Sequence, residues 1–276
     1  HTIGRRQRQM CIRDSFKHGD AEKLGMNYEK IKQFQPNIIY GEITAFGKNE
    51  KRLGFDVVLQ AEAGFMFMNG EAKGNIVKMP VALIDILTAH QLKEAILLAL
   101  LKRQTTGKGS YVSVSLMETA IASLANQATN WLMGSHIPQR MGTLHPNIAP
   151  YGDIFVTADE KLLVLAVGND KQFARMCHVL QRNDLVADQR FINNALRVKN
   201  RTLLQTVLAP VFTNYLRDEL LDSLIENGVP AAAIRNMQEV FEQKIAQDMV
   251  LKQHLADGTT TKCVKTIAFD TTFLNS

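Results

Sequence analysis

The residue best suited to chemistry is Asp85, a carboxylate early in an otherwise apolar stretch that begins at Pro80. Proline suits the first turn of a helix, where its missing N–H has no partner to lose. Burial among apolar neighbours would raise the pKa of the Asp85 carboxyl, whereas the positive end of the helix dipole would favour its charged form. A carboxylate held in this way can be a nucleophile. It can also be structural, paired with Thr88, His90 or a backbone N–H, and residue chemistry alone leaves both interpretations open.

The elements that must position Asp85 follow from the periodicity of the chain around it. Apolar residues recur at helical spacing over residues 81–103 and predict a mostly buried helix. A glycine turn follows at 106–109, and the alternating residues 111–116 predict a half-buried strand. Residues 117–131 predict one further helix. Asp85 thus belongs to a helix that leads directly into a strand.

The chain before this helix predicts an α/β fold with a parallel sheet. Residues 28–34 predict a short helix that ends before Pro36, since the residue preceding a proline disfavours helical backbone. Residues 38–43 are predicted to form a buried strand, and residues 55–64 a helix. With the strand at 111–116, this alternation is typical of a parallel sheet.

The pattern changes after Pro146 and predicts a second, smaller domain over residues 150–228. A hairpin with an acidic turn precedes three helices, the last two separated by Pro210. These elements are predicted at residues 153–156, 162–167, 171–180, 202–209 and 211–227. Residues 15–149 would form the large domain, to which residues 229–276 would return.

Composition indicates an ordinary globular protein, because the 276 residues are 46% hydrophobic and 21% charged. Of the formal net charge of +5, four arginines against one aspartate place +3 in residues 1–14, which leaves +2 elsewhere. No predicted element concentrates Lys and Arg with interleaved aromatics, so nucleic-acid binding is unsupported. The longest apolar run, residues 81–101, is interrupted by Asp85, His90, Gln91, Lys93 and Glu94, which excludes a lipid-spanning helix.

Residues 1–14 are predicted to be a leader foreign to the native protein. They are basic, lack periodicity and include QRQMCIR at 7–13, which looks like translated sequencing adapter. A genuine basic tail or targeting peptide is the alternative, although the apolar centre of a secretory signal is lacking. The cysteines, Cys11, Cys177 and Cys263, show no metal-binding spacing. They indicate unpaired thiols in a reducing compartment, and we expect a cytoplasmic protein.

The motifs around Asp85 resemble, in order and spacing, those of the family III CoA-transferases. The family pattern is an aspartate in an apolar segment with a following threonine, then a helix, a (R/K)TG(R/K)G turn and a strand ending in VSL. The matching segments here are IDILT at 84–88, TGKG at 106–109 and VSVSL at 112–116. Others resemble the branch that contains succinyl-CoA:glutarate transferases, namely LANQ at 124–127, HPNIAPY at 145–151, AVGND at 166–170 and GVP at 228–230. The resemblance covers nearly everything after Asp14.

This resemblance implies a Rossmann-like large domain, truncated here at both ends, a smaller α+β domain, and an interlocked homodimer of the full-length parent. It implies that Asp85 attacks an acyl-CoA to form an aspartyl anhydride and then an aspartyl-CoA thioester, from which CoA passes to the incoming acid. Coenzyme A is then a substrate, with no permanent cofactor and no metal. The expected acyl donor is succinyl-CoA or a similar dicarboxyl compound.

The resemblance also implies a surface that binds coenzyme A. Phe16 and Lys17 match the family's NF(R/K)PG segment, although Ser15 replaces its Asn and His18 its Pro. Lys23 stands where a basic residue can meet a CoA phosphate. The segment that runs past the pantetheine arm is matched by Leu53, Gly54, Phe55 and Asp56. A solvated helix surface is the alternative for the two lysines.

A dicarboxylate substrate needs hydrogen-bond donors for its distal carboxylate. The candidates are His145, Asn147 and Tyr151, in one proline-framed loop. The alternative is a linker whose histidine is structural.

Two other functions are open. The α-methylacyl-CoA racemases of the same fold pair an aspartate with a histidine that falls just before the residue matching Asp56. Phe55 stands there and cannot accept a proton, which disfavours racemisation. The second is a fragment that binds CoA or a partner without turnover.

Overall fold

The structure is a computed structural model that describes residues 11–14 and 19–270. The chain divides into two compact units, His1–Gly142 and Thr143–Ser276. Each unit has its own sheet and its own buried cluster of apolar side chains. None of the helices among the described residues is long and apolar enough to cross a membrane.

The first unit is built on a three-stranded parallel sheet, as the alternation of elements predicts. Its strands are β1 (Cys11–Asp14), β2 (Ile39–Thr44) and β3 (Ser110–Ser115), with β2 in the middle. Ile39 and Tyr40 are almost completely buried, which explains the apolar start of β2. Helices connect the strands: α1 (Asp20–Lys23), α2 (Tyr28–Phe34), α3 (Asp56–Glu62), α4 (Phe65–Met68) and α5 (Leu83–Thr106), with α6 (Leu116–Ala122) and α7 (Asn126–Gly134) after β3.

Strand β1 lies within residues 1–14, and the origin of that segment as a foreign leader stays a prediction. Cys11 pairs with Ile39 and Asp14 with Glu42 in parallel register, so four residues of the predicted leader extend the sheet. Backbone hydrogen bonding forms this strand, and its four residues are too few to show a periodicity that would have indicated it.

Helix α5 carries Asp85 in its first turn and ends where Gly107 adopts a left-handed conformation (φ +70°). One face of α5 is buried at Ile84, Leu92 and Ala99. The expectation of a mostly buried helix is wrong for the other face, where Leu98 is 68% exposed.

The single helix expected over residues 117–131 is two helices. Helix α6 is capped by the Ser115 side chain, which accepts from the Glu118 N–H, and it ends at Ala122. The chain then turns through Ala125, which has a positive φ of 49°, before α7 begins. The break contains no glycine or proline, so nothing in its composition announces it.

The second unit contains an antiparallel sheet of β4 (Tyr151–Val156), β5 (Leu162–Ala166) and β6 (Ala231–Ala233), with β5 in the middle. The predicted hairpin is confirmed as β4 and β5. Six helices follow β5 or β6: α8 (Asp170–Val179), α9 (Asp184–Ala187), α10 (Asn194–Lys199), α11 (Arg201–Phe212), α12 (Arg217–Glu226) and α13 (Met237–Glu242). Helix α14 (Lys244–Asp248) then leads into an exposed hairpin of β7 (Val250–His254) and β8 (Thr260–Val264).

Two boundaries of the second unit differ from the expectation. The unit begins at Thr143 instead of residue 150, and it does not end at 228, because Ala231–Ala233 pairs with β5.

Pro210 lies inside α11 instead of separating two helices. It occupies the last turn, where a missing N–H costs a single helical bond.

The second unit holds the larger core. Phe155 and Phe212 stack at its centre with ring centroids 4.1 Å apart. Cys177 is fully buried in the same cluster, whereas Cys263 on β8 is exposed. Burial and the nearby Asp184 carboxylate raise the pKa of the Cys177 thiol to about 12.

Candidate functional site

A cleft of about 450 Å³ opens in the first unit at the carboxyl ends of β2 and β3. Open parallel sheets bind ligands at this edge, because the loops after the strands meet there. The end of β2 and the loop that leads from it to Asp56 form most of its lining, and α5 contributes Asp85 and Thr88. The sequence-predicted nucleophile therefore faces a ligand-sized space.

Asp85 is exposed in this cleft rather than enclosed by apolar side chains. Partial desolvation, and to a smaller extent the Asp56 carboxylate, raise the pKa of Asp85 above its ordinary value. Its carboxylate accepts no hydrogen bond from any residue that the structure describes. His90, one of the partners that the sequence suggested for Asp85, instead contacts Lys93, with His90 Nδ1 3.0 Å from Lys93 Nζ.

Asp56 caps the start of α5 from a different helix. Its Oδ2 accepts from the Ile84 N–H at 2.8 Å and from the Asp85 N–H at 3.4 Å. Its Oδ1 accepts from Gln60 Nε2 at 2.5 Å, and Gln60 Oε1 accepts from the Met79 N–H at 2.8 Å. Ala82, the N-cap residue of α5, offers no capping side chain, so Asp56 satisfies donors that would otherwise have no partner.

The other residues predicted along the pantetheine arm also line the cleft. Leu53 and Phe55 are exposed, with Phe55 at 69%. Gly54 is required by packing, because a Cβ there would lie 2.5 Å from the Ala45 Cβ. Leu53, Gly54, Phe55, Asp56 and Asp85 therefore come together, as their assignment to one site requires.

Basic side chains occupy the loop between β2 and α3. Lys48 Nζ lies 4.7 Å from the centre of the Tyr111 ring. Arg52 binds both carboxylate oxygens of Glu62 at 2.8 and 2.9 Å. The sequence gives no sign of these residues, because charged loop residues are usually solvated and only the fold brings Lys48 and Lys51 to the cleft.

Two hydroxyls at the cleft were also missed from the sequence. Thr44 ends β2 and Thr88 follows Asp85 by three residues on α5, and both line the cleft. The Oγ1 atoms of both are buried without a hydrogen-bond partner among the described residues. The three-residue spacing from Asp85 on one helix could have indicated that Thr88 lies at the cleft. The position of Thr44 depends on the register of the sheet, which the sequence pattern does not give.

The remaining predicted CoA contacts are not brought to this cleft. Phe16 and Lys17 lie outside the described residues. Lys23 is 76% exposed on α1 and pairs with Asp20 at 3.1 Å. Lys23 is not among the residues that line the cleft, and its role in binding a phosphate stays a prediction.

The loop predicted to bind the acid lies in the second unit. The rings of His145 and Tyr151 meet edge to face with centroids 5.2 Å apart. His145 Nδ1 accepts from the Asn147 N–H at 3.2 Å, and the His145 carbonyl accepts from Arg201 Nη2 at 2.7 Å. These contacts order the loop around His145, and binding of an acid by its side chains stays a prediction.

Beside this loop, the buried Asp153 was not selected from the sequence. Burial raises the pKa of the Asp153 carboxyl, and the Arg201 guanidinium opposes that shift. Asp153 Oδ2 and Arg201 Nε both lack hydrogen-bond partners within residues 11–14 and 19–270. Its position on β4 follows a chain bend at Gly152, where any Cβ would lie 1.7 Å from the Thr143 carbonyl oxygen.

A sequence model of CoA-transferase family III matches residues 11–274. Succinate–glutarate CoA-transferase of Agrobacterium fabrum is 34% identical over 258 residues, which cover 92% of this chain and 64% of that protein. The human succinyl-CoA:glutarate CoA-transferase is 34% identical over 233 residues, 83% of this chain and 53% of that protein. The chain thus spans about half to two thirds of these relatives.

Solved structures show the same fold. A CAIB/BAIF family protein from Brucella suis superposes with a TM-score of 0.84 at 34% identity, over 98% of this chain and 73% of that one. Rv3272 from Mycobacterium tuberculosis superposes with a TM-score of 0.79 at 28% identity, over 97% of this chain and 74% of that one.

Proposed function

This chain belongs to CoA-transferase family III, and from that membership we propose that the protein moves coenzyme A from an acyl-CoA to a carboxylic acid, with Asp85 as the nucleophile. One observation carries the proposal. Asp85 presents an unpaired carboxylate to the cleft at the strand ends, while its backbone N–H is bound by Asp56. The Asp85 carboxylate is therefore free to react, while its backbone is held in place by Asp56.

The proposed reaction proceeds through three covalent intermediates, two anhydrides and one thioester. An Asp85 oxygen adds to the thioester carbonyl, the C–S bond breaks, and CoA thiolate leaves a mixed anhydride. The thiolate then adds to the aspartyl carbonyl and expels the first carboxylate, which leaves an aspartyl-CoA thioester. The incoming carboxylate attacks this thioester, its C–S bond breaks, and CoA thiolate leaves a second anhydride. The thiolate then attacks the acyl carbonyl of that anhydride, which releases the new acyl-CoA and restores the Asp85 carboxylate.

Specific residues support these steps. Asp56 and Gln60 fix the first turn of α5, which holds the backbone of Asp85 in place at the cleft. Lys48 and Lys51 on the cleft loop provide positive charge for an anionic substrate.

We propose a succinyl-type donor and a dicarboxylate acceptor, because the relatives named above act on succinate or glutarate. The acid would contact His145, Asn147 and Tyr151. Other relatives carry names that include oxalate and mesaconate, so the acceptor has to be found by experiment.

Racemisation is the second candidate within the fold, and the cleft disfavours it. Phe55 presents an apolar ring where the racemases carry a histidine, and it precedes Asp56, which is engaged by α5. Asp85 alone would have to remove and return a proton on opposite faces of one carbon.

We also propose that the full-length protein is a homodimer. Leu97, Leu98 and Leu101 on α5 are each more than half exposed, and partners commonly cover such apolar surface. Light scattering on the full-length protein tests this, and a monomer at micromolar concentration would contradict it.

A panel experiment tests the function. The full-length protein is incubated with succinyl-CoA and separate carboxylates, and acyl-CoA products are identified by mass. A new acyl-CoA with release of succinate is expected for at least one dicarboxylate. A parallel incubation with a 2-methylacyl-CoA in deuterated water should show no incorporation at Cα. Incorporation at an enzymatic rate without CoA transfer would assign the protein to the racemases, and CoA binding with neither reaction would indicate a binding protein.

A further inference from the structure

The Thr88 hydroxyl is a buried donor beside Asp85 that the free protein does not use. The Thr88 side chain is 0% exposed, and its Oγ1 has no hydrogen-bond partner in the described part of the chain. Threonine inside a helix ordinarily donates to the carbonyl four residues earlier. Thr206 does so to Thr202 at 2.9 Å, and Thr106 to Lys102 at 2.7 Å. Thr88 departs from this pattern on the helix that carries the nucleophile.

Leaving a buried hydroxyl without a partner destabilises the folded protein, so such a group calls for a physical reason. Thr88 lines the cleft, and Asp85 lies three residues earlier on the same face of α5. Thr88 Oγ1 is covered by neighbouring atoms of the protein, so a group that already belongs to the wall of the cleft is its natural partner. The Asp85 carboxylate can approach it by rotation about its own side-chain bonds.

We propose that the Thr88 hydroxyl donates a hydrogen bond to one carboxyl oxygen of Asp85 during transfer, while the other oxygen attacks the acyl-CoA carbonyl. The inference rests on the proposed function of Asp85. The same donor then serves the second step. When thiolate adds to the aspartyl carbonyl, the carbonyl electron pair moves to the oxygen that Thr88 holds, and it returns as the C–O bond to the first acid breaks.

Two substitutions separate the hydroxyl from the rest of the side chain. Thr88→Val keeps the shape and removes the donor, whereas Thr88→Ser keeps the donor and removes a methyl group. For Thr88→Val we expect kcat to fall by about tenfold or more, with KM for the acyl-CoA changed less than about twofold, since negative charge develops on the oxygen that Thr88 holds when thiolate adds to the aspartyl carbonyl. Thr88→Ser should retain kcat within about threefold, because it restores the donor.

Thermal unfolding distinguishes this role from a structural one. Thr88→Val should melt no lower than the wild type, because it removes an unpartnered buried hydroxyl. The matched control is Thr206→Val, which removes a satisfied hydroxyl from the second unit and should leave kcat unchanged.

Wild-type kcat in Thr88→Val, or a joint loss of kcat and melting temperature in that variant, would overturn the role of Thr88 while Asp85 transfer stands. Failure of the proposed function has a different signature. The wild type itself would then transfer CoA to no acid in the panel, and the role of Thr88 would fall with it.

Discussion

Asp85 concentrates the proposed chemistry in one side chain, and its replacement gives the first prediction. Asp85→Asn should keep the fold, since the carboxylate contacts no described residue through a hydrogen bond, and should lower CoA transfer by several orders of magnitude. Single-turnover transfer and thermal melting measure the two effects. Asp222→Asn, on the exposed face of α12, is the matched control. Transfer near the wild-type rate in Asp85→Asn would refute the nucleophile.

Asp56 gives a second prediction, because it caps α5 and also places negative charge near Asp85. Asp56→Ala removes the acceptor for two N–H groups of α5 and should destabilise the protein by about 1–2 kcal/mol. Asp56→Asn keeps one acceptor and should cost less. In both variants the pKa of Asp85 should fall, because the Asp56 charge helps to raise it. The acidic limb of the rate profile should therefore move to lower pH, and an unmoved limb would contradict this coupling.

A third prediction concerns acid stability at the turn between β4 and β5. The Thr157 hydroxyl, the Arg217 N–H and Lys161 together lower the pKa of Asp159 to about 2. A carboxyl whose pKa is lower in the folded state stabilises the fold above its unfolded pKa of about 4, and that contribution is lost as the pH falls towards 2.

Asp159→Asn should therefore lower the melting temperature at neutral pH and reduce its loss between about pH 4 and pH 2. Melting curves across that range, with Asp222→Asn as the control for loss of one charge, measure the difference. Equal acid sensitivity in the wild type and Asp159→Asn would show that the turn does not contribute.

At the scale of elements, sequence periodicity predicted those helices and strands whose position is set by contacts between nearby residues. The helix at Tyr28–Phe34 and the hairpin of β4 and β5 lie where their patterns indicate, because each is set by nearby residues. The break before α7 and the continuation of α11 through Pro210 depend on packing that no local pattern records.

The same limit applies to the cleft. The motif around Asp85 indicated the helix that carries it, and the segment 53–56 lines the same cleft as Asp85. Gln60 and Thr44 reach the site only through contacts between distant parts of the chain. Spacing along one element cannot predict such contacts.

Strand β1 provides the fourth prediction. Chains that begin at residue 11 and at residue 15 differ by the four residues that pair with Ile39–Glu42. The shorter chain leaves one edge of β2 unpaired and should be less stable by on the order of 2 kcal/mol, since several backbone hydrogen bonds are lost. Chemical denaturation of both chains measures this. Equal stability would show that the pairing does not contribute.

At the scale of the whole molecule, the two units are unequal in their cores. The cluster in the second unit joins β4, β5 and four helices around Phe155 and Phe212, whereas the buried cluster around Leu59 and Ile84 is small. Hydrophobic stabilisation scales with the apolar surface removed from water. The second unit is therefore expected to be the more resistant to proteolysis.

The burial of Cys177 makes it possible to measure how often the core of the second unit opens. Only a thiolate reacts readily with an alkylating reagent, and a buried thiol with a pKa of about 12 is protonated at neutral pH. Cys263 is exposed on β8 and should be alkylated at once, so it calibrates the reagent within the same molecule. Alkylation of Cys177 then requires the core to open, and its rate relative to Cys263 gives the population of the open state.

Phe212→Ala should test this use of Cys177. Loss of a fully buried ring costs about 3–5 kcal/mol, so alkylation of Cys177 should accelerate by roughly a hundredfold or more while Cys263 is unaffected. Peptide mass spectrometry resolves the two sites. Equal rates at both cysteines in the wild type would contradict the burial of Cys177. With the expected difference, the alkylation rate of Cys177 reports how often the core of the native protein opens.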